Sequence, residues 1–504
     1  MSILTLFIII PLLTIIGILF SKNHMQVKWT SVVGMGLQLI CAITLIFLYL
    51  AERQAGNMAE ILFIQDNLWY ESLNIHFFIG VDGVSVAMIG LTSLVVFAGI
   101  FASWDIVDLP REFFTSLILL ASGVFGFFIS LDLFTMFLFY ELAVIPMYLL
   151  IGIWGSGPRH YSAMKLTLML MGGSAFILLG LLGIYFNSAP SGGPLTFDLI
   201  KISKEQIPVA AQNFLFPFLF VGFGVLGALF PFHTWSPDGH ASAPTAVSML
   251  HAGVLMKLGG YGCYRVAVFL LPEGAHQWAW VFLILATIGV IYGAFGAVWQ
   301  KDLKYINAYS SVSHCALVLF AILMFNQTAI NGAIMQMISH GIMTALFFAL
   351  IGMIYGRTHT RYINEMGGLM KVMPFLSVAY VIAGLASLGL PGFSGFVAEM
   401  TIFVGSFQHA DTFHRVCTII AASSIVVTAV YVLRVVGVLL LGKIKNEEFE
   451  TLPDAKWYDK ISVVALIAGI TIIGTAPLWL SDMINGGLGP IVQKLLAAAP
   501  VIMH

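Results

Sequence analysis

Residues 231–246 read PFHTWSPDGHASAPTA and interrupt a run of apolar residues that would otherwise be typical of membrane-spanning helices. Pro231, Pro237 and Pro244 each lack the backbone N–H that a helix interior needs, so they cannot all belong to one unbroken helix. Inside a bilayer, the backbone groups freed by such a break need water or protein partners. These residues therefore predict an opened helix that lines a hydrated interior.

The composition around this stretch is that of a membrane protein. Of 504 residues, 60% are hydrophobic and only 9% are charged, whereas soluble domains are roughly a quarter charged. A mean hydropathy of +0.98 leaves no room for a sizeable water-soluble domain. Most soluble enzyme classes are thereby excluded. The formal net charge of −2 offers no basic face, so no nucleic-acid partner is expected.

Apolar stretches of about 20 residues, the length that crosses a bilayer, number about fourteen. We therefore predict an all-α polytopic membrane protein with one integral domain over residues 1–504. The longest linkers are 51–79, 187–212 and 442–461. The predicted spans are 2–21, 29–50, 80–103, 112–131, 133–154, 163–186, 210–232, 241–270, 277–299, 304–325, 329–356, 373–407, 415–441 and 461–481.

Lysine and arginine are distributed unevenly between the loops of the two sides. Basic loop residues mark the cytoplasmic side of a membrane protein. About thirteen fall on one side, including Lys443 and Lys445, and about five on the other, including Lys201 and Lys204. Both termini are therefore predicted on the non-cytoplasmic side of a multi-pass protein.

Charged residues inside the predicted spans are candidates for function, because a charge near the bilayer centre costs at least about 2.5–3.5 kcal/mol. Lys257 lies eight residues inside the apolar segment 249–269, roughly 12 Å along a helix. Its side chain cannot easily reach the interface from there. We predict a proton or ion path at Lys257, with a structural ion pair as the alternative. Arg265 and Arg434 lie nearer to span ends and are expected to reach the interface.

Two carboxylates stand near prolines within spans. Glu141 lies in LFYELAVIPMYLLIGIWG with Pro146, and Glu399 lies in LPGFSGFVAEMTIFVG after Pro391. We expect a helix irregularity near each carboxylate, since such breaks admit water at mid-depth in membrane transporters. A buried carboxylate without a partner simply takes up a proton. A neighbouring lysine is therefore expected.

Histidines occupy polar positions in otherwise apolar spans. His314 lies in SSVSHCAL and His340 in MQMISHGIM. Imidazole exchanges protons near physiological pH, so the two residues together with Lys257 indicate a relay. Hydrogen-bonded packing residues are the alternative. His233 and His240 in the 231–246 stretch suit a proton entrance, with ordinary loop solvation as the alternative.

The cysteines exclude redox centres built by this chain alone. Cys41, Cys263, Cys315 and Cys417 are scattered without a CxxC pair. Neither an iron–sulfur cluster nor a structural zinc site can be assembled from them. We predict no cofactor and no metal in this chain, so any redox chemistry must belong to a partner.

These features together resemble the antiporter-like membrane subunits of respiratory complex I, over nearly the whole chain. The resemblance implies two inverted repeats of five helices, expected over 112–270 and 277–441, each with a broken helix. The breaks would contain Pro231 and Pro391. The most specific matching segments are FYELAVIPMYLLIGIWG, PFHTWSPDGHASAPTAVSMLHAGVLMKLGGYG, DLKYINAYSSVSHCALVL, IMQMISHGIM and LPGFSGFVAEMTIFVGSF.

The resemblance also implies site residues. Lys165 is similar to a family lysine one helix after the first carboxylate. Glutamate at 399 favours the subunit M type, because the L and N types and the multisubunit antiporters usually have lysine there. A chloroplast or cyanobacterial type shares the same broken-helix motifs. The implied proton-channel residues are Glu141, Lys257, His314, His340 and Glu399.

The function implied is that of a proton-translocating subunit of NADH:quinone oxidoreductase in a bacterial inner membrane. FMN and iron–sulfur clusters would then belong to partner subunits, and the L- and N-type subunits would be neighbours. The alternatives are a subunit of a multisubunit cation/proton antiporter, driven by an ion gradient, and a structural scaffold. Glu399 argues against the first, and the number of buried ionisable groups argues against the second.

One position departs from the family pattern. The family generally has a lysine seven residues before the histidine of PxHxWxPD, and this chain has Leu226 there. The usual basic partner of Glu141 is therefore missing. Lys165 could replace it, His251 or Lys257 could serve from the next helix, or this repeat could conduct poorly.

Overall fold

A computed structural model describes residues 2–189 and 192–498, and this part of the chain is mostly helical. The first helices are α1 (Ile3–Phe20), α2 (His24–Gln54), α3 (Gly83–Ala102), α4 (Pro110–Ile129), α5 (Leu133–Trp154), α6 (Arg159–Phe186), α7 (Leu199–Lys204), α8 (Val209–Leu226), α9 (Trp235–Ser242) and α10 (Thr245–Leu250). The remaining helices are α11 (Met256–Gly262), α12 (Pro272–Trp299), α13 (Leu303–Ile322), α14 (Gln327–Thr358), α15 (Pro374–Ser387), α16 (Ser394–Ser406), α17 (Thr412–Leu440), α18 (Trp457–Thr475) and α19 (Leu478–Ala497).

Twelve helices in the described ranges are long and apolar enough to cross a membrane. Two further predicted spans are interrupted segments. The span predicted at 241–270 consists of α10, a π-helical turn at His251–Leu255, α11 and a second π-helical turn at Cys263–Val268. The span predicted at 373–407 consists of α15 and α16. With these two, the all-α polytopic fold is confirmed, and the chain is a multi-span membrane protein.

The two predicted helix breaks at Pro231 and Pro391 are present. Pro231 lies between the end of α8 and the start of α9, and Pro391 lies between α15 and α16. The irregularity expected beside Glu141 is wrong, because α5 continues through Pro146 to Trp154. A proline removes one helical hydrogen bond, and neighbouring helices in a membrane bundle compensate for that loss. Glu141 therefore projects from an uninterrupted helix.

Two elements were not predicted from the sequence. The linker 51–79 contains an antiparallel hairpin of β1 (Leu62–Tyr70) and β2 (Ile75–Val81). Residues after the last predicted span form α19, which packs on α3 and α14. A single two-stranded hairpin is marginal alone. Here β2 is supported by α4 and α5, a contact that local sequence does not reveal.

Helix α14 forms the centre of the molecule. It packs against α3, α10, α13, α15, α16, α18 and α19. Of its most apolar 18-residue stretch, 94% is buried. By contrast, only 28% of the most apolar 18-residue stretch of α1 and 33% of that of α2 is buried, as expected of helices that face lipid. Polar side chains on α14 are therefore enclosed by protein, so they must find partners in neighbouring helices.

Candidate functional site

Four titratable side chains form one row through the centre of the membrane bundle. Lys257 Nζ lies 2.8 Å from His340 Nδ1 and also donates to the carbonyl oxygen of Ala252. The His340 and His314 ring centroids are 5.1 Å apart. His314 Nδ1 lies 3.3 Å from Glu399 Oε1. The row thus runs from α11 through α14 and α13 to α16, and it brings together four of the predicted site residues.

The local helix geometry explains the position of Lys257. Its helix α11 is flanked by the two π-helical turns, which insert extra residues into the helical path and are frequent at functional sites. A cavity of about 10 Å³ touches Lys257 and Gly227, which follows α8. Lys257 is only 2% exposed. It therefore lies between the break after α8 and the histidines of the second half.

One nitrogen of His314 has two competing partners. The Gln336 side-chain Nε2 lies 3.0 Å from His314 Nδ1, and Glu399 Oε1 lies 3.3 Å from the same atom. An unprotonated nitrogen can only accept from the amide, whereas a protonated nitrogen can donate to the carboxylate. The proton on His314 therefore decides which neighbour it binds.

Glu399 lies beside the break between α15 and α16. The backbone at Gly389 has φ +64°, and the Glu399 carboxyl lies 3.2 Å from where a Cβ on Gly389 would stand. Next to Glu399 is a cavity of about 10 Å³, room for about one water. Its polar lining is Ser313, His314, Ser387, Glu399, Ser424 and Thr428.

The first carboxylate has a different environment. Glu141 is half-buried, and its Oε1 has no hydrogen-bond partner among the described residues. Its polar neighbour is Ser174 of α6. No lysine in the described ranges forms an ion pair with it, and Leu226, at the family lysine position, is completely buried in the hydrophobic core.

Lys165, one of the alternatives for the missing lysine, is bound to a different carboxylate. Its Nζ binds Asp238 Oδ2 at 2.7 Å, and the Tyr305 hydroxyl donates to the other carboxylate oxygen at 3.0 Å. Lys165 lies nine residues before Ser174 on α6, which is about 13 Å along the helix. The lysine is therefore held near α9, away from the Glu141 carboxyl.

His251 belongs to a second buried histidine pair. Its ring centroid lies 4.3 Å from that of His240 and 5.0 Å from that of Trp235. All four ring nitrogens of the pair lack a hydrogen-bond partner among the described residues. Buried polar groups of this kind are normally satisfied by internal water. The pair lies within the electrostatic reach of Lys257.

Arg265 does not reach the interface, which corrects the sequence prediction. Its Nη1 lies 2.9 Å from Asp82 Oδ2, and both side chains are buried. The contact is an ion pair without hydrogen-bond alignment, since no donor in the described part of the chain hydrogen-bonds to that oxygen. Arg434 is half-buried and donates to the carbonyl oxygens of Val298 and Gln300 at the end of α12.

Three polar residues of the site were missed from the sequence. Asp238 lies inside the proline-rich stretch, where the neighbouring histidines were the predicted proton-exchanging residues. Gln336 precedes His340 by four residues on α14, so helical spacing alone puts both side chains on one face. Tyr431 of α17 makes a 2.7 Å hydrogen bond with Ser310 of α13, and no local signal marks that pairing.

The sequence is similar to a group of known membrane subunits. Residues 130–428 match the family described as NADH:quinone oxidoreductase/Mrp antiporter, TM. The chain is 35% identical to NADH-quinone oxidoreductase subunit M of Rickettsia prowazekii, over 95% of this chain and 96% of that protein. It is 39% identical to an NAD(P)H-quinone oxidoreductase chain 4 of Picosynechococcus, over 85% and 78% of the two chains.

Solved structures share the fold. A chain of respiratory complex I from Thermus thermophilus superposes with a TM-score of 0.88 at 23% identity, covering 98% of this chain and 99% of that chain. A chain of the Mrp complex from a Dietzia species has a TM-score of 0.82 at 19% identity, with the same coverage. By sequence and fold, the chain belongs to the NADH:quinone oxidoreductase/Mrp antiporter family of membrane subunits.

Proposed function

We propose that this chain is a proton-translocating membrane subunit of a bacterial NADH:quinone oxidoreductase. The observation that carries the proposal is the continuous row of Lys257, His340, His314 and Glu399, buried at membrane depth. Such groups are expensive to bury and are retained mainly along proton or ion paths. Quinone reduction elsewhere in the complex would drive the proton movement.

The row permits stepwise proton transfer in the second half of the molecule. A proton on Lys257 passes to His340 across their 2.8 Å contact. The Nε2 atoms of His340 and His314 have no partner among the described residues, so a water that bridged them would complete the connection between the rings. His314 then exchanges Gln336 for Glu399 as its partner and delivers the proton to the carboxylate.

In the first half, the buried histidine pair takes the place of the missing lysine. His251 and His240 pack against each other close to Lys257, and imidazoles with unpartnered nitrogens are suited to a water-linked path. Glu141 with Ser174 would be the carboxylate end of this path. Lys165 and Asp238 then serve as an ion pair between α6 and α9.

The assignment as a subunit has consequences for topology and partners. The two repeats would occupy 112–270 and 277–441 within one integral domain. Both termini would lie on the non-cytoplasmic side of the bacterial inner membrane. FMN and iron–sulfur clusters would reside in partner subunits, and the L- and N-type membrane subunits would be among the neighbours of this chain.

The direct test is Glu399→Gln in the assembled complex, which keeps the side-chain shape but removes the titrating group. We expect NADH-driven proton uptake into membrane vesicles to fall by most of its amplitude at normal subunit abundance. Glu60→Gln is the matched control, because Glu60 lies exposed before the hairpin. Wild-type proton uptake in the Glu399→Gln complex would contradict the assignment.

The fold likeness to the Mrp complex keeps a cation/proton antiporter subunit as the second candidate. Such a protein would use the same buried charges but would be driven by an ion gradient. Purification of the native complex in mild detergent separates the two functions. Flavin and iron–sulfur absorbance that copurifies with this chain supports the oxidoreductase, and their absence supports the antiporter.

A further inference from the structure

Three metal-ligating side chains meet at the turn between α16 and α17. The ligand atoms of His409, Asp411 and His414 all lie within 4.8 Å of one another. His414 Nδ1 is 2.8 Å from both carboxylate oxygens of Asp411, and His409 Nδ1 is 3.9 Å from Oδ2. The two imidazole rings stack at a centroid distance of 4.2 Å. These side chains take no part in the proposed proton path.

An independent contact prepares His409 for coordination. Its Nε2 lies 2.6 Å from the carbonyl oxygen of Met324. A carbonyl only accepts hydrogen bonds, so Nε2 carries the proton and the Nδ1 lone pair of the neutral ring faces the cluster. Metal-bound histidines usually donate their second ring N–H in this way, which fixes the tautomer and the ring orientation.

We propose that His409, Asp411 and His414 form a binding site for a divalent transition metal such as Zn²⁺. Two imidazoles and one carboxylate are a usual three-residue set for zinc, with water in the fourth position. Bonds of 2.0–2.1 Å in a tetrahedron place neighbouring ligand atoms about 3.3 Å apart. The observed 2.8 Å and 3.9 Å separations bracket that value.

The backbone around the cluster is already held in place. Asp411 caps α17 through the backbone N–H of His414 at 2.9 Å. Arg415 Nε donates to the backbone carbonyl of His409 at 3.0 Å, and Asn326 donates to the carbonyl of Gly405 at the end of α16. Coordination therefore requires only small side-chain movements. A bound metal would tie the turn after α16 to the first turn of α17.

The chemistry of the ligands predicts which ions bind. Imidazole nitrogens favour zinc and related transition metals, whereas Mg²⁺ and Ca²⁺ prefer oxygen ligands. The metal would take the place of the hydrogen bond between His414 Nδ1 and Asp411, and the His414 N–H would then be carried on Nε2. The three side chains are between one quarter and one half exposed, so an ion can enter from the aqueous phase.

Histidine modification in native membranes tests the site without any measurement of proton pumping. Diethyl pyrocarbonate acylates accessible neutral imidazoles, and mass spectrometry locates the product. Zn²⁺ should protect His409 and His414, Mg²⁺ should not, and exposed His160 on α6 should react equally with or without metal. Absence of protection by Zn²⁺, or equal protection by Mg²⁺, would overturn the proposal.

Asp411→Asn is the matched variant, because asparagine remains a good helix N-cap while it removes the charged ligand. The Zn²⁺ concentration needed for half protection should rise at least about tenfold, the lower range for losing even an outer-shell partner. An unchanged concentration in a normally assembled Asp411→Asn complex would rule out coordination by this cluster. The result stands independently of the proposed function.

Discussion

Lys257 and Arg265 lie on the same helical segment but have opposite environments. Arg265 is paired with the carboxylate of Asp82, so its charge is fixed by a counter-charge in the buried interior. Lys257 instead meets the imidazole of His340 and a backbone carbonyl. No carboxylate contacts it among the described residues. Its charge can therefore change during a proton-transfer cycle.

These environments predict that substitution of Arg265 lowers stability, whereas substitution of Lys257 lowers proton uptake. Arg265→Ala should destabilise the protein by about 3–5 kcal/mol, since it leaves Asp82 charged and unpaired in the interior. Lys257→Ala should leave the subunit at normal abundance but abolish most NADH-driven proton uptake. Immunoblots of assembled complex and vesicle proton uptake measure the two effects.

Asp82→Asn combined with Arg265→Ala should regain abundance, because asparagine still caps α3 while the unpaired carboxylate charge is gone. No recovery of abundance would argue against the ion pair.

The histidine pair near Lys257 gives a second prediction. His251→Leu should reduce proton uptake, because it removes a polar link without opening a large cavity. Adding Leu226→Lys should restore part of the loss by supplying the base that the family usually has there. Proton uptake normalised to subunit abundance is the measurement. Leu226→Met in the same background is the control for volume, and equal rescue by methionine would count against a role for charge.

The break between α15 and α16 depends on backbone conformations that the sequence signals only in part. Pro391 marks the interruption, and Gly389 and Gly392 adopt φ +64° and +96°. Glycine is needed at such angles because other residues pay a steric penalty there. Only Gly389 also lies against Glu399. Gly392 therefore matters only for the backbone conformation of the break, whereas Gly389 matters for that conformation and also contacts Glu399.

Gly389→Ala and Gly392→Ala should separate these two roles. Each should cost about 1–2 kcal/mol from the left-handed backbone, which thermal denaturation of the purified complex would measure. Gly389→Ala should in addition depress proton uptake, because its Cβ would stand 3.2 Å from the Glu399 carboxyl. Gly392→Ala has open space at that point and should pump normally. Equal proton uptake by both variants would show that the contact between Gly389 and Glu399 does not affect proton pumping.

The distribution of basic loop residues predicts the orientation of the whole molecule in the membrane. Gln206→Cys in the linker after α7 should react with a membrane-impermeant maleimide in intact spheroplasts. Lys443→Cys after α17 should react only after the membrane is permeabilised. The parent chain is the control for background labelling, because Cys41 is half-buried while Cys263, Cys315 and Cys417 are buried. Reaction of both cysteines in intact spheroplasts would contradict the predicted orientation.

Hydropathy and proline positions determine much of this protein without reference to tertiary contacts. The spans and the breaks at Pro231 and Pro391 follow from local properties, namely transfer of apolar segments into lipid and the missing proline N–H. The sequence also singled out Lys257 and Glu399 as buried charges. Their relay partners His314 and His340 were predicted from their polar positions in neighbouring spans and from the family resemblance, since no local pattern brings α11 next to α14.

The packing of separate helices sets which charges meet. Lys165 binds Asp238 across 73 residues of sequence, and Lys257 binds His340 across 83. Arg265 pairs with Asp82, which caps the N-terminus of α3, and α5 continues through Pro146 without a break. Ion pairs depend on distances of a few ångströms between separate helices, and one-dimensional hydropathy does not contain those distances. Helix packing therefore fixed the partners, while composition and proline fixed the helices.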